Sequence, residues 1–242
     1  MPSKVLFDPM RAMILAAGRG ERMHPLTLRR PKPLLEVAGK SLLVHHIERL
    51  RDTGVTELVI NVSWLGEQII ERIGSGARWG VEIQYSRENE PLETAGGIVQ
   101  ALPLLGAAPF LVVNGDVWTE FDYSPWVSHL SEERSWASYD ARLVLVPNPK
   151  HHPQGDFSLI DGEVRRRGEN PLTFAGIAAY HPRFFAECSG GIQALLPLFL
   201  SAIDKQTLAG ELYSGVWQDI GTPARLDELN RSVGDNRSTS TD

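Results

Sequence analysis

Only one cysteine, Cys188, occurs in 242 residues. That excludes a disulfide within the chain and any zinc site built from cysteine pairs, and it suits a reducing compartment. No apolar stretch approaches the ~20 residues that carry a helix across a bilayer. Segment 1–9 offers only Val5, Leu6 and Phe7 as an apolar core, too short for a signal peptide. It reads as an extension ahead of the domain, and the cytoplasm is the expected location, without membrane attachment. Cations are in deficit, with 24 Lys and Arg against 30 Asp and Glu and a net charge of −6. Nucleic-acid binding calls for a basic surface, so no nucleic acid is expected as a partner. Any bound phosphates must be met by locally placed cations and backbone amides.

Core material is present, since 42% of the residues are hydrophobic. This predicts a single domain over 10–231, followed by a polar, flexible tail over 232–242. Met13-Ile14-Leu15 reads as a buried strand running into a glycine-rich turn. Ser41 to Asp52 carries a helical apolar face, closed by Gly54. Strands at Leu58–Val62, Val81–Tyr85 and Phe110–Asn114 alternate with helices at Leu65–Ile73 and Thr94–Leu102. Such alternation predicts an α/β, Rossmann-like, doubly wound and mostly parallel sheet. Ligands then bind beyond the carboxyl ends of the strands, after Leu15, Val62, Tyr85 and Val113. Over about 140–215 the pattern turns to strands at Leu143–Val146, Phe157–Ile160, Glu163–Arg166 and Phe174–Tyr180. This predicts a small antiparallel insertion or lid that completes the site. Val216–Ile220 returns as a strand, and Pro223 opens a helix.

Five constellations carry chemistry. The segment Leu15-Ala16-Ala17-Gly18-Arg19-Gly20-Glu21-Arg22-Met23 joins small residues, whose backbone can approach a ligand closely, to amides that can cradle an anion. Arg22 adds a charged fork. A plain glycine turn satisfies the same letters. A dinucleotide fingerprint fails because Met23 stands where glycine is needed, and Leu34 defeats a Walker motif ending at Gly39-Lys40-Ser41. In Pro31-Lys32-Pro33 the flanking prolines hold one cation out of a helix; the alternative is a solvated lysine. Asn114-Gly115-Asp116 ends the most apolar strand, where a carboxylate can hold Mg²⁺ against a nucleotide phosphate or merely form an Asx turn. Asp219 lies within Trp217-Gln218-Asp219-Ile220, where an unpaired carboxylate is costly. Sharing Mg²⁺ with Asp116 offsets that cost, and so does capping the helix near Pro223. Glu93-Thr94-Ala95-Gly96-Gly97 opens a helix with small residues on which a flat base can lie. The pairs His45-His46 and His151-His152 are adjacent residues that do not share a helix face, which disfavours metal binding by either pair.

Taken together, in this order and spacing, the segments resemble the sugar-1-phosphate nucleotidyltransferase family from Arg11 to about Leu229. The resemblance implies an enzyme that joins a nucleoside triphosphate, UTP in the branch it most resembles, to a sugar 1-phosphate and releases pyrophosphate. It implies that Leu15, Ala16, Ala17, Gly18, Gly20, Glu21, Arg22, Lys32, Glu93, Gly96 and Gly115 face the nucleotide. Arg22, Lys32 and Asp116 are implied in catalysis, and Asp116 and Asp219 in binding Mg²⁺. Asn114, Gly155, Asp156, Glu169, Thr173 and Gly176 fall where family members hold the sugar phosphate. Many relatives carry a lysine after the glutamate of that region. Here Asn170 follows Glu169, and Arg165, Arg166 or Arg167 is expected to supply the missing cation.

The attacking phosphate oxygen is already an anion, so no general base is needed. Catalysis reduces to positioning and charge neutralisation. The chain shows no Ser–His–Asp or Cys–His arrangement, which agrees with that chemistry. Rival readings are a guanylyl- or cytidylyltransferase, and a non-catalytic nucleotide-sugar sensor on the same fold. A monomer or homodimer is expected.

Overall fold

The computed structural model describes residues 9–238. Residues 1–8 and 239–242, which include most of the expected extension and the end of the expected tail, lie outside that part. In chain order the strands are β1 (Arg11–Leu15), β2 (Glu36–Val37), β3 (Lys40–Ser41), β4 (Glu57–Val62), β5 (Glu82–Arg87), β6 (Phe110–Asn114), β7 (Val117–Thr119), β8 (Ala141–Val146), β9 (Phe157–Ile160), β10 (Glu163–Arg166), β11 (Thr173–Tyr180), β12 (Leu208–Leu212) and β13 (Trp217–Asp219). The helices are α1 (Leu42–Asp52), α2 (Gly66–Ile73), α3 (Glu93–Leu105), α4 (Ser124–Leu130), α5 (Leu196–Asp204) and α6 (Pro223–Ser238).

Among the described residues one nine-stranded sheet runs β5-β4-β1-β6-β11-β8-β12-β10-β9. Its first four strands are parallel, with β1 between β4 and β6. This is the doubly wound half, and it places the carboxyl ends of β1, β4 and β6 side by side. Alternation along β1 explains the two layers. Ala12 and Ile14 join one core with Leu43, Ile47 and Leu50 of α1. Met13 faces the other core with Ala95, Ile98 and Ala101 of α3. Each such fully buried Ile or Leu contributes about 1.5–3 kcal/mol. Helix α1 begins where Ser41 Oγ accepts from Val44 N at 3.4 Å, an N-cap.

The later strands extend the same sheet. β11 pairs antiparallel with β6 and β8, and β12 runs parallel to β8. β10 is antiparallel to both β12 and β9. The antiparallel character expected over 140–215 is present at β9, β10 and β11, as a continuation of the central sheet. Separate small antiparallel ribbons are formed by β7 with β13 and by β2 with β3. α6 continues to Ser238, so the expected tail is helical over 232–238.

A third apolar cluster ties distant segments together at the site. Met23 after the glycine-rich loop packs with Trp118 of β7, with Ile220, and with Leu226 and Leu229 of α6.

Candidate active site

A cleft of about 480 Å³ opens beyond the carboxyl ends of β1, β4 and β6. Its wall includes Leu15, Ala16, Ala17, Gly18, Gly20, Glu21 and Arg22 from the loop after β1. Lys32, Glu93, Asn114 and Asp116 complete the set of expected residues that line it. Gly20 adopts φ +65, and a Cβ there would stand 3.0 Å from Thr27 Cγ2. Glycine is therefore the residue that lets the loop turn and pack. The loop is pinned from below, since Thr27 Oγ1 donates to Gly20 O at 2.7 Å.

Lys32 is buried at 7% exposure, and its Nζ stands 2.5 Å from Asp116 Oδ2. The prolines on either side set the backbone, and the short helical turn Lys32–Leu34 carries the ammonium inward. A buried cation demands an anion, and Asp116 supplies it. Asp219 lies next door. β13 pairs with β7 so that Asp219 faces Val117, and Ile220 N donates to Asp116 O at 2.8 Å. Two carboxylates 103 positions apart in sequence thus share one end of a two-stranded ribbon. Asp219 does not line the cleft. Its oxygens meet Arg225 Nη1 at 2.6 and 2.5 Å.

Several expected residues serve the frame around the cleft. Gly96 lies against the 191–193 backbone, where a Cβ would stand 2.1 Å from Gly191 O. Gly115 donates its N–H to Leu15 O at 2.9 Å, and a Cβ would sit 2.6 Å from that oxygen. Asp156 holds its own loop, accepting from Phe174 N at 2.8 Å and pairing with His152 at 3.0 Å. Thr173 Oγ1 donates to Asn148 Oδ1 at 2.8 Å. Gly155 packs on Asn148 and Gly176 on Asn114. Glu169 is exposed, and its carbonyl accepts from Ser158 Oγ at 3.0 Å. None of the three arginines expected as substitute cations lines the cleft. Arg165 pairs with Glu163, and Arg166 pairs with Asp204 at 2.7 Å on the outer hairpin. Arg167 donates to Gln154 at 3.4 Å.

The cleft also holds residues the sequence reading passed over. Asn61, at the end of β4, accepts from Ala16 N at 2.7 Å and donates to Glu88 Oε1 at 2.7 Å. Glu88 Oε2 accepts from Leu92 N at 3.2 Å. A polar residue near the carboxyl end of an apolar parallel strand is the signal that marks Asn61. Gly221 also lines the wall, as do Arg19 and Thr94 from two of the expected constellations.

His46 lies behind β7, hydrogen-bonded to the Val117 backbone. Burial pushes its pKa down to about 4, so it is neutral near pH 7. His45 Nε2 donates to Val37 O at 2.9 Å, and the ring meets that of Trp118 edge-on at 4.8 Å. Burial lowers its pKa as well. Among the described residues no group of three or more His, Cys, Asp or Glu side chains converges on one point. No helix among them is long and apolar enough to cross a membrane.

Residues 11–171 match the family described as Nucleotidyl transferase. The chain belongs to the nucleotidyl transferase family. It is 49% identical over 230 residues to the N-acetylmuramate alpha-1-phosphate uridylyltransferase of Neisseria meningitidis serogroup B, covering 93% of this chain and 99% of that one. It is 32% identical to the mannose-1-phosphate guanylyltransferase catalytic subunit beta of Drosophila melanogaster, covering 88% of this chain and 60% of that one. A solved structure described as a glucose-1-phosphate thymidylyltransferase from Bacillus anthracis superposes with a TM-score of 0.81 at 22% identity, covering 93% of this chain and 96% of that one. Membership makes the chain an enzyme of sugar-1-phosphate nucleotidyl transfer, with the α/β fold that the superposition shares.

Proposed function

We propose that this nucleotidyltransferase joins UTP to N-acetylmuramate 1-phosphate, giving UDP-N-acetylmuramate and pyrophosphate in cytoplasmic recycling of cell-wall sugars. The observation that carries the reading is the 49% identity to the Neisseria uridylyltransferase across 99% of its length. In the reaction an oxygen of the sugar phosphate forms a bond to the α-phosphorus of UTP. The bond from that phosphorus to the bridging oxygen breaks, and pyrophosphate leaves with the electron pair.

The loop from Leu15 to Arg22 provides backbone amides and a guanidinium for the triphosphate, and Glu93 stands at the edge where a base enters. Lys32 supplies a fixed positive charge beside the phosphates, of the kind that stabilises charge as it develops. Asp116, just before β7, and Asp219, in β13, offer hard oxygen donors at one end of the ribbon, which suits Mg²⁺, an ion that completes its shell with water and phosphate oxygens. When bound there, Mg²⁺ supplies charge neutralisation at the α-phosphate. Asn114, which lines the cleft beside Gly176, faces the sugar phosphate. Asp156, Thr173, Gly155 and Glu169 shape the loops on that side.

The test is pyrophosphate release with N-acetylmuramate 1-phosphate, N-acetylglucosamine 1-phosphate, glucose 1-phosphate and mannose 1-phosphate, each with UTP and with GTP. N-acetylmuramate 1-phosphate with UTP is expected to give the highest kcat/KM. A preference for mannose 1-phosphate with GTP would overturn the substrate assignment. Asp116→Asn and Asp219→Asn are each expected to abolish turnover in a folded protein.

A further inference from the structure

Three segments meet around Asp219. Arg225, in the first turns of α6, contacts both of its carboxylate oxygens through Nη1. His151, from the loop after β8, places Nε2 at 2.8 Å from Asp219 Oδ1 and 2.7 Å from Arg225 Nη1. One imidazole nitrogen can donate to the carboxylate or accept from the guanidinium, and not both. The trio is therefore partly satisfied in either tautomer.

Arg225 is only 14% exposed and lies against the cleft wall. Gly221 lines the cleft, and a Cβ on it would stand 2.2 Å from Arg225 Nη2. The bare backbone at 221 is what admits the guanidinium there. Arg165 and Arg166 of the outer hairpin pair with Glu163 and Asp204, Arg167 donates to Gln154, and Lys32, Arg19 and Arg22 stand on the side of the cleft given above to the triphosphate.

On the reading of the site given above, we infer that Arg225 binds the phosphate of the sugar 1-phosphate, and that before the divalent cation arrives it occupies that cation's place on Asp219. A cation that takes Asp219 leaves a largely buried guanidinium without its counter-ion. Such a group requires another anion, and its planar fork matches a phosphate. Metal arrival and sugar-phosphate capture are then one exchange of partners, with His151 as the neighbour that follows the guanidinium. The inference makes Arg225 a competitor of the metal and a partner of the substrate, so its removal acts on the two in opposite directions.

The experiment measures Mn²⁺ binding to the full chain from the electron paramagnetic resonance signal of the free ion, and sugar-phosphate binding by calorimetry with Mn²⁺ present. Arg225→Gln is expected to bind Mn²⁺ about threefold or more tightly, because more of the protein has Asp219 open. It is expected to bind N-acetylmuramate 1-phosphate and N-acetylglucosamine 1-phosphate both about tenfold or more weakly, the usual effect of losing a charge-assisted bond. Arg225→Met, which keeps the side-chain stem and removes the charge, carries the same readouts if the glutamine variant does not fold. Lys150→Gln, at the exposed cation beside His151, is the comparator. Unchanged or weaker Mn²⁺ binding in Arg225→Gln overturns the inference. So does unchanged sugar-phosphate binding, or a loss seen with Lys150→Gln in its place. A loss confined to N-acetylmuramate 1-phosphate moves Arg225 to the lactyl carboxylate and overturns the phosphate role. If Asp219→Asn binds Mn²⁺ as well as the native protein, it is the metal site of the proposed function that fails.

Discussion

Asn61 Nδ2 and Glu88 Oε1 lie 2.7 Å apart beneath the cleft, and both residues are buried. The bond is the middle of a chain from Ala16 N through Asn61 and Glu88 to Leu92 N. It fixes the loop after β1 relative to the start of α3, the two walls between which a nucleotide would lie. Asn61→Ala strands a buried amide and a buried carboxylate. Unfolding in urea is expected to show a loss of about 2–4 kcal/mol, with a raised KM for UTP and a smaller change in kcat.

Lys32 and Asp116 form a close ion pair in the wall of the cleft. Lys32→Ala is expected to lower kcat for pyrophosphate release about a hundredfold or more, as loss of one preorganised charge partner does. Unchanged turnover would remove Lys32 from the catalytic set.

His46 makes stability depend on pH. In the unfolded chain its pKa is near 6.5, and in the fold burial holds it near 4. Between those values the unfolded state binds more protons. The contribution is therefore full above about pH 6.5 and is lost as pH falls toward 4, a span of about 3 kcal/mol. Denaturant midpoints measured from pH 7.5 down to pH 4.5 should fall in the native protein. His46→Leu should flatten that part of the curve.

Gly96→Ala tests whether the small residues of α3 serve the frame. A methyl group there would enter the Gly191 carbonyl, so backbone must move. A loss of about 1–3 kcal/mol is expected, together with weaker UTP binding as the helix start shifts. Native stability in this variant would mean that the 190–193 loop yields without cost.

The parallel half of the fold was legible because its period was clean. Leu58–Val62 and Phe110–Asn114 are apolar runs of strand length, and both became strands at those positions. α5 escaped notice because Leu195 to Leu200 is apolar on every side, with a proline inside it and no 3.6-residue rhythm. α4 has only seven residues. The joining of β8–β12 to the central sheet was also hidden, since strand pairing between distant segments leaves no local trace. Within the cleft, Lys32 and Asp116 were marked by rigid flanks and by a strand end. Asn61 was read only as part of an apolar strand, although its place near the carboxyl end set it apart. Arg225 was invisible because what defines it is a contact with Asp219 and His151, three segments whose meeting no spacing announces.

The ribbon of β7 with β13 gives the molecule a timetable. Ribosomal synthesis delivers the loop after β1, Lys32 and Asp116 well before Asp219, which follows Asp116 by 103 positions. Domains fold as units while they emerge, yet the pairing of Val117 with Asp219 must wait for the last strand. A nascent chain that has not yet reached Trp217 therefore carries Asp116 without its ribbon neighbour Asp219, and this end of the cleft can close only after the segment of β13 has been made.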